Sequence, residues 1–156
     1  MSGQAFQDLY PLKGARMCWG CGADNDQGLQ IKSYWDGEDT VCTWTPQPYH
    51  LVGMQYLNGG VIATIMDCHA TCSAIAYAYR QEGREIGSAP LILYVGGTVN
   101  VSFLKPTPIE QPVSMRAHPK AIHPKKSIFT CDLFSGDQRT ASGDFTLVRV
   151  PEAWAD

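Results

Sequence analysis

Hydrophobic and polar positions change their period along this chain, and each change marks an element. From Leu29 to Trp35 and from Thr40 to Thr45 they alternate, rich in β-branched and aromatic residues, with Asp36-Gly37 between the two runs. Alternation of period two broken by Asp-Gly predicts a β-hairpin. Thr45 to Leu57 carries two prolines, a glycine and His50, and predicts a loop. Beyond Asn58 the period lengthens: Val61, Ile62, Ile65, Met66, Cys72, Ile75 and Ala76 fall in an alanine-rich run. That pattern predicts a helix from about Gly59 to about Gln81, buried along much of its surface. Asn58 is a favoured N-cap, and Gly83 fits the helix end.

The alternation of period two then returns. Leu91 to Leu104 alternates around Thr98, Asn100 and Ser102 and stops at Lys105-Pro106. Val113 to Ala121, Ser127 to Phe134 and Ala141 to Val150 follow, separated by His123-Pro124 and Ser135-Gly136-Asp137. The order β-β-α-β-β-β-β predicts a single α+β domain, a curved antiparallel sheet wrapped around one long central helix. Residues 1–28 form an irregular or partly helical lead-in, and residues 29–150 form the core. Such a sheet leaves edge strands, and pairing them between chains removes the edges.

Composition narrows the function classes. The 156 residues are 44% hydrophobic and 17% charged, and the net charge of -3 gives no basic surface for nucleic acid or an anionic membrane. The first residues lack a basic start and an apolar stretch, and Asp67 and His69 interrupt the run from Val61 to Ala78. We therefore expect a cytoplasmic protein with no membrane span. The six cysteines are expected as free thiols. Cys18-x-x-Cys21 has no second such pair or His pair at finger-like spacing, and Cys68 and Cys72, on one helical face, read as packing; no metal is assigned.

Three motifs carry a resemblance. Leu57-Asn-Gly-Gly followed by Asp67 resembles the His-Gly-Gly and downstream Asp of PaaI-like hot-dog-fold thioesterases. Val99 to Pro106 looks like their strand after the helix, and Cys18-Trp-Gly-Cys-Gly with Asn25 and Gly28-Leu29 is similar to their lead-in. The resemblance implies hydrolysis of an acyl-CoA thioester without a cofactor, by a homodimer or dimer of dimers with sites at the dimer interface. The residues agree with that chemistry. First-turn amides of a helix lack intrahelical partners and carry the positive end of its dipole, so Gly59 and Gly60 admit a developing oxyanion. Asp67 acts as base on water or as nucleophile, and the sequence leaves both routes open. Gly59 and Asp67 are eight positions apart, about 12 Å of helix rise, so one carbonyl meets both only if a second subunit supplies one of them.

Thr71, one turn beyond Asp67, matches a hydroxyl that places water in some relatives. Departures from the pattern are equally definite. Asn58 replaces the usual His, Val52 stands where relatives hold the carbonyl with Asn or Gln, and Gly96 stands where some carry Ser or Thr. Gln55 or His50 is the expected substitute for the missing carbonyl donor, and Lys105, Arg116, Lys125 and Lys126 are candidates for the CoA phosphates. His69 is expected to be packed or interfacial. A non-catalytic acyl-CoA binding or sensing module is the alternative. A hot-dog hydratase is disfavoured because its usual His, five residues after the Asp, is Cys72 here.

Overall fold

The computed structural model describes residues 3–155. Two short helices, α1 (Phe6–Leu9) and α2 (Lys13–Arg16), form the lead-in. Strands β1 (Ser33–Asp36) and β2 (Asp39–Trp44) make the predicted hairpin. A small pair, β3 (Leu51–Val52) and β4 (Tyr56–Leu57), brackets a 3-10 turn before the central helix α3 (Gly59–Gln81). Four long strands follow: β5 (Leu93–Phe103), β6 (Val113–Ile122), β7 (Lys126–Ser135) and β8 (Gln138–Val150), and a last 3-10 turn covers Glu152–Ala155. The main sheet runs β1-β2-β6-β7-β8-β5, antiparallel throughout.

Alternation along the strands decides which face meets the helix. Phe129, Cys131 and Leu133 of β7 and Phe145 and Leu147 of β8 are fully buried, with their intervening neighbours partly exposed. They pack on Ile65, Met66, Ala70 and Ala74 of α3. Each large apolar side chain so buried stabilises the fold by roughly 1.5–3 kcal/mol. α3 is apolar and long enough to cross a membrane, yet 67% of its most apolar window is buried inside this fold. It is a core helix, and the arrangement is the hot-dog fold.

Two local expectations are corrected. The first strand starts at Ser33 rather than Leu29, because Leu29 N–H donates to Trp19 O and Ile31 N–H to Gly20 O. Gln30 between them turns left-handed at φ 53°. The stretch Thr45 to Leu57 is a loop only in part, since β3 and β4 lie in it. Met54 and Gln55 make their turn with φ of 73° and 67°, a conformation costing roughly 1–2 kcal/mol for each residue with a Cβ.

β5 pairs with β8 on one side only and is a sheet edge. Eleven residues long, it leaves Val95, Val99 and Phe103 exposed.

Candidate active site

Two clusters on α3 and at its N-cap, eight positions apart from Gly59 to Asp67, hold the predicted catalytic residues. At its N-terminus, Asn58 is extended (φ -61°, ψ 133°), and its Oδ1 accepts from Gly60 N–H at 2.8 Å and Val61 N–H at 3.2 Å. Those bonds satisfy two of the orphan donors of the first turn. They also correct the expectation for Gly60, whose amide is already engaged. Gly59 N–H makes no hydrogen bond among the described residues and is the amide left for a ligand. A Cβ on Gly59 would stand 3.1 Å from the Phe103 ring, so glycine keeps this approach open.

His50 and Gln55 lie in the loop that leads into this end. His50 O accepts from Asn58 N–H at 2.9 Å, and its Nδ1 accepts from Gln47 N–H at 2.9 Å. The ring leans on Trp44, and partial burial pulls its pKa down, so the neutral form is favoured. Gln55 is exposed, and its carbonyl accepts from Ile109 N–H. Val52 is exposed on β3 and brings no polar group.

The second cluster borders a cavity of about 500 Å³ between α3, the lead-in, the start of β5 and the C-terminal turn. Asp67 and Thr71 line it, with Gly96 opposite and Trp154 at the rim. Asp67 Oδ1 is buried and has no hydrogen-bond partner among the described residues. Burial, and secondarily the nearby Cys21, pushes the Asp67 carboxyl above its ordinary value. A Cβ on Gly96 would lie 3.7 Å from that oxygen, so a hydroxyl there would reach it. Glycine leaves the carboxylate bare.

His69 is fully buried beneath this wall. Gln7 Nε2 donates to Ser33 Oγ at 2.9 Å, and the Ser33 hydroxyl shares a 2.8 Å bond with His69 Nδ1. His69 Nε2 faces Thr40 O at 3.3 Å. Desolvation pulls its pKa down to about 4, which keeps the ring neutral and structural. The network ties α1 and β1 to the central helix.

The four cations do not converge. Arg116 sits on β6 facing away from the helix, with Nη1 2.9 Å from Asp39 and Nη2 2.5 Å from Asp36, so it is removed from the candidate phosphate ligands. Lys125 and Lys126 are exposed at the start of β7, and Lys105 is exposed after β5; none lines the cavity. The lead-in motif around Cys18 and Cys21 marks the family but does not announce that this segment walls the cavity, and no motif announces Trp154.

Comparison with known proteins places the chain in a family. Residues 54–142 match the thioesterase superfamily. A thioesterase superfamily protein from Shewanella loihica is 30% identical, with a TM-score of 0.62 over 78% of this chain and 91% of its own. PaaI of the E. coli phenylacetic acid degradation operon is similar in fold at 15% identity, with a TM-score of 0.65 over 79% of this chain and 81% of its own. A thioesterase from Haemophilus influenzae, also at 15% identity, gives 0.68 over 92% of each chain. No curated protein matches the sequence. The chain belongs to the thioesterase superfamily.

Proposed function

We propose that this protein hydrolyses an acyl-CoA thioester, with Asp67 as the reacting carboxylate. The observation that carries the reading is the buried, unpartnered Asp67 Oδ1 at the wall of a largely apolar cavity. An unsatisfied buried oxygen costs roughly 1–3 kcal/mol, and this one, unlike the equally unpartnered Ser88 Oγ, belongs to a residue that lines the cavity, where a bound water or ligand would meet it. A cavity of about 500 Å³ is of the size that takes a small organic group.

In the general-base route, Asp67 takes a proton from water as the water oxygen bonds to the thioester carbonyl carbon. The carbonyl oxygen becomes an oxyanion, held by a Gly59 amide at a helix N-terminus. Collapse breaks the C–S bond, and the leaving CoA sulfur recovers the proton from Asp67. In the nucleophilic route, a carboxylate oxygen displaces the CoA thiolate to form a mixed anhydride, which water then hydrolyses. Both routes need Gly59 and Asp67 at one carbonyl, although about 12 Å of helix rise separates them. Two chains paired through the β5 edge, whose Val95, Val99 and Phe103 are exposed, answer that requirement.

A second reading, an acyl-CoA binding module, draws on Gly96, which gives no hydroxyl to hold water beside Asp67. Thiol release over short, long and aromatic acyl-CoAs, with Asp67→Ala alongside, separates the two. Turnover of one class that collapses in the variant supports hydrolysis. Equal background rates, with acyl-CoA binding intact in both proteins, overturn it.

A further inference from the structure

We propose that Cys18, Cys21, Cys68 and Cys72 form a tetrathiolate zinc site that fastens the lead-in to the central helix beside the cavity. The sulfurs of Cys18, Cys21 and Cys68 all lie within 4.8 Å of one another. Cys18 Sγ is 3.8 Å from Cys68 Sγ, and Cys72 Sγ is 3.9 Å from Cys21 Sγ. With Zn–S near 2.3 Å, the edge of a regular ZnS4 tetrahedron is about 3.8 Å, the length of these two edges. Cys72 lies outside the group of three and would be drawn in from its contact with Cys21. Each short contact joins one lead-in sulfur to one helix sulfur, so a central ion would bridge the two segments.

The backbone is built for this convergence. Cys18 and Cys21 sit on a tight turn closed by Gly22 N–H donating to Cys18 O at 2.8 Å. A Cβ on Gly22 would stand 2.5 Å from Cys18 N and from Cys18 O, and one on Gly20 would stand 2.4 Å from Cys68 Sγ. Neither position has room for a side chain. Cys68 and Cys72 project from one face of α3 at i and i+4. The sequence hid the site because its second ligand pair comes from a helix at x3 spacing instead of a second knuckle.

Soft thiolates in a tetrahedral set select a d10 ion of borderline softness, and zinc brings no redox change. Binding replaces four S–H bonds by four Zn–S bonds and releases four protons to solvent. With sulfur at every position, no coordination site is open for water. The ion would therefore be structural, setting the cavity wall that carries Asp67. Cys42 and Cys131, buried in the sheet core, stand apart from the cluster.

The test measures metal and needs no turnover, so its failure is distinct from failure of the hydrolase reading. The full chain, purified without chelator, is assayed for bound metal by elemental analysis and X-ray absorption, then reconstituted with cobalt(II). The proposal expects a single zinc ion per chain with a sulfur-only shell, and a cobalt spectrum with thiolate charge transfer and intense tetrahedral d–d bands. Cys18→Ser and Cys72→Ser should each lose stoichiometric zinc and that spectrum, while Cys42→Ser keeps both. Folded wild-type protein that takes up neither ion overturns the site. So does a mixed nitrogen and oxygen shell, or a Cys18–Cys68 disulfide in non-reducing peptide maps, which would make the cluster a redox pair. If the serine variants fail to fold, the wild-type absorption shell alone decides.

Discussion

Asn58→Asp separates the two tasks that the start of α3 performs. The Asn58 Oδ1 acceptor is retained, so the 2.8 Å and 3.2 Å bonds to Gly60 and Val61 persist. A carboxylate at a helix N-terminus gains roughly 0.3–1 kcal/mol from the macrodipole. For a chain of 156 residues the unfolding entropy is about 0.33 kcal/mol per degree, so Tm should rise by roughly 1–3 °C. The same charge would sit within one helix pitch, roughly 5 Å, of an oxyanion on Gly59 N–H. At an effective dielectric constant of about 20, that repulsion is about 3 kcal/mol, or roughly 100-fold in rate. Solvent at the exposed side lowers this, and a fall in kcat of about 10- to 100-fold is expected. Asn58→Ala is the control: it removes the cap and should lower Tm by about 3 °C, at a cost near 1 kcal/mol. Thermal melts and thiol-release kinetics on both variants make the measurement. An Asn58→Asp protein that is more stable and equally fast would refute the placing of the oxyanion at Gly59.

Asp67→Ala should reduce acyl-CoA hydrolysis by roughly 10²- to 10⁴-fold while equilibrium binding of the thioester persists; loss of both together would point to a fold defect instead. Gly96→Ser puts a hydroxyl within reach of the orphan Asp67 Oδ1, 3.7 Å from the added Cβ, and should raise Tm by about 3 °C for a gain near 1 kcal/mol. An unchanged melt would show that the oxygen already has a partner. Burial pushes the Cys42 thiol up to about 12 from 9.0. Its folded pKa lies above the unfolded one, so the stability it favours is complete below pH 9 and is lost as pH rises towards 12. Alkylation of Cys42 at neutral pH should therefore require denaturant, and rapid labelling of native protein would contradict this. Val99→Arg places a charge on the β5 edge, so sedimentation should report monomer and thiol release should fall with it. An active monomer would dispose of the two-chain site.

The parts of this fold legible in the sequence are those whose burial is periodic. The helix from Gly59 to Gln81 was readable because an N-cap, an alanine-rich body and apolar spacing agreed on one element. β6, β7 and β8 were readable because one sheet face is buried and the other is not, which writes a period of two into the chain. Leu29 to Lys32 alternates just as well but is no strand, because its amides bond to Trp19 and Gly20 and no periodicity records a partner ten residues upstream. The site divides along the same line. Asp67 and Gly59 stood out because a short motif names them, and Asn58 stood out as a departure from it. What no motif carries is direction: Arg116 is one step along β6 from the helix-facing Met115, and that single step turns it from the core side to the outer face, into the grip of Asp36 and Asp39. Cys18, Cys21, Cys68 and Cys72 are the converse case. Each pair alone reads as packing or as an orphan knuckle, and only the seating of the lead-in against α3 brings the sulfurs together. The seating also encloses the cavity, so whatever fixes the lead-in fixes the environment of Asp67. A substitution at Gly20, whose added Cβ would meet Cys68 Sγ at 2.4 Å, should therefore disturb hydrolysis although it touches no reacting atom.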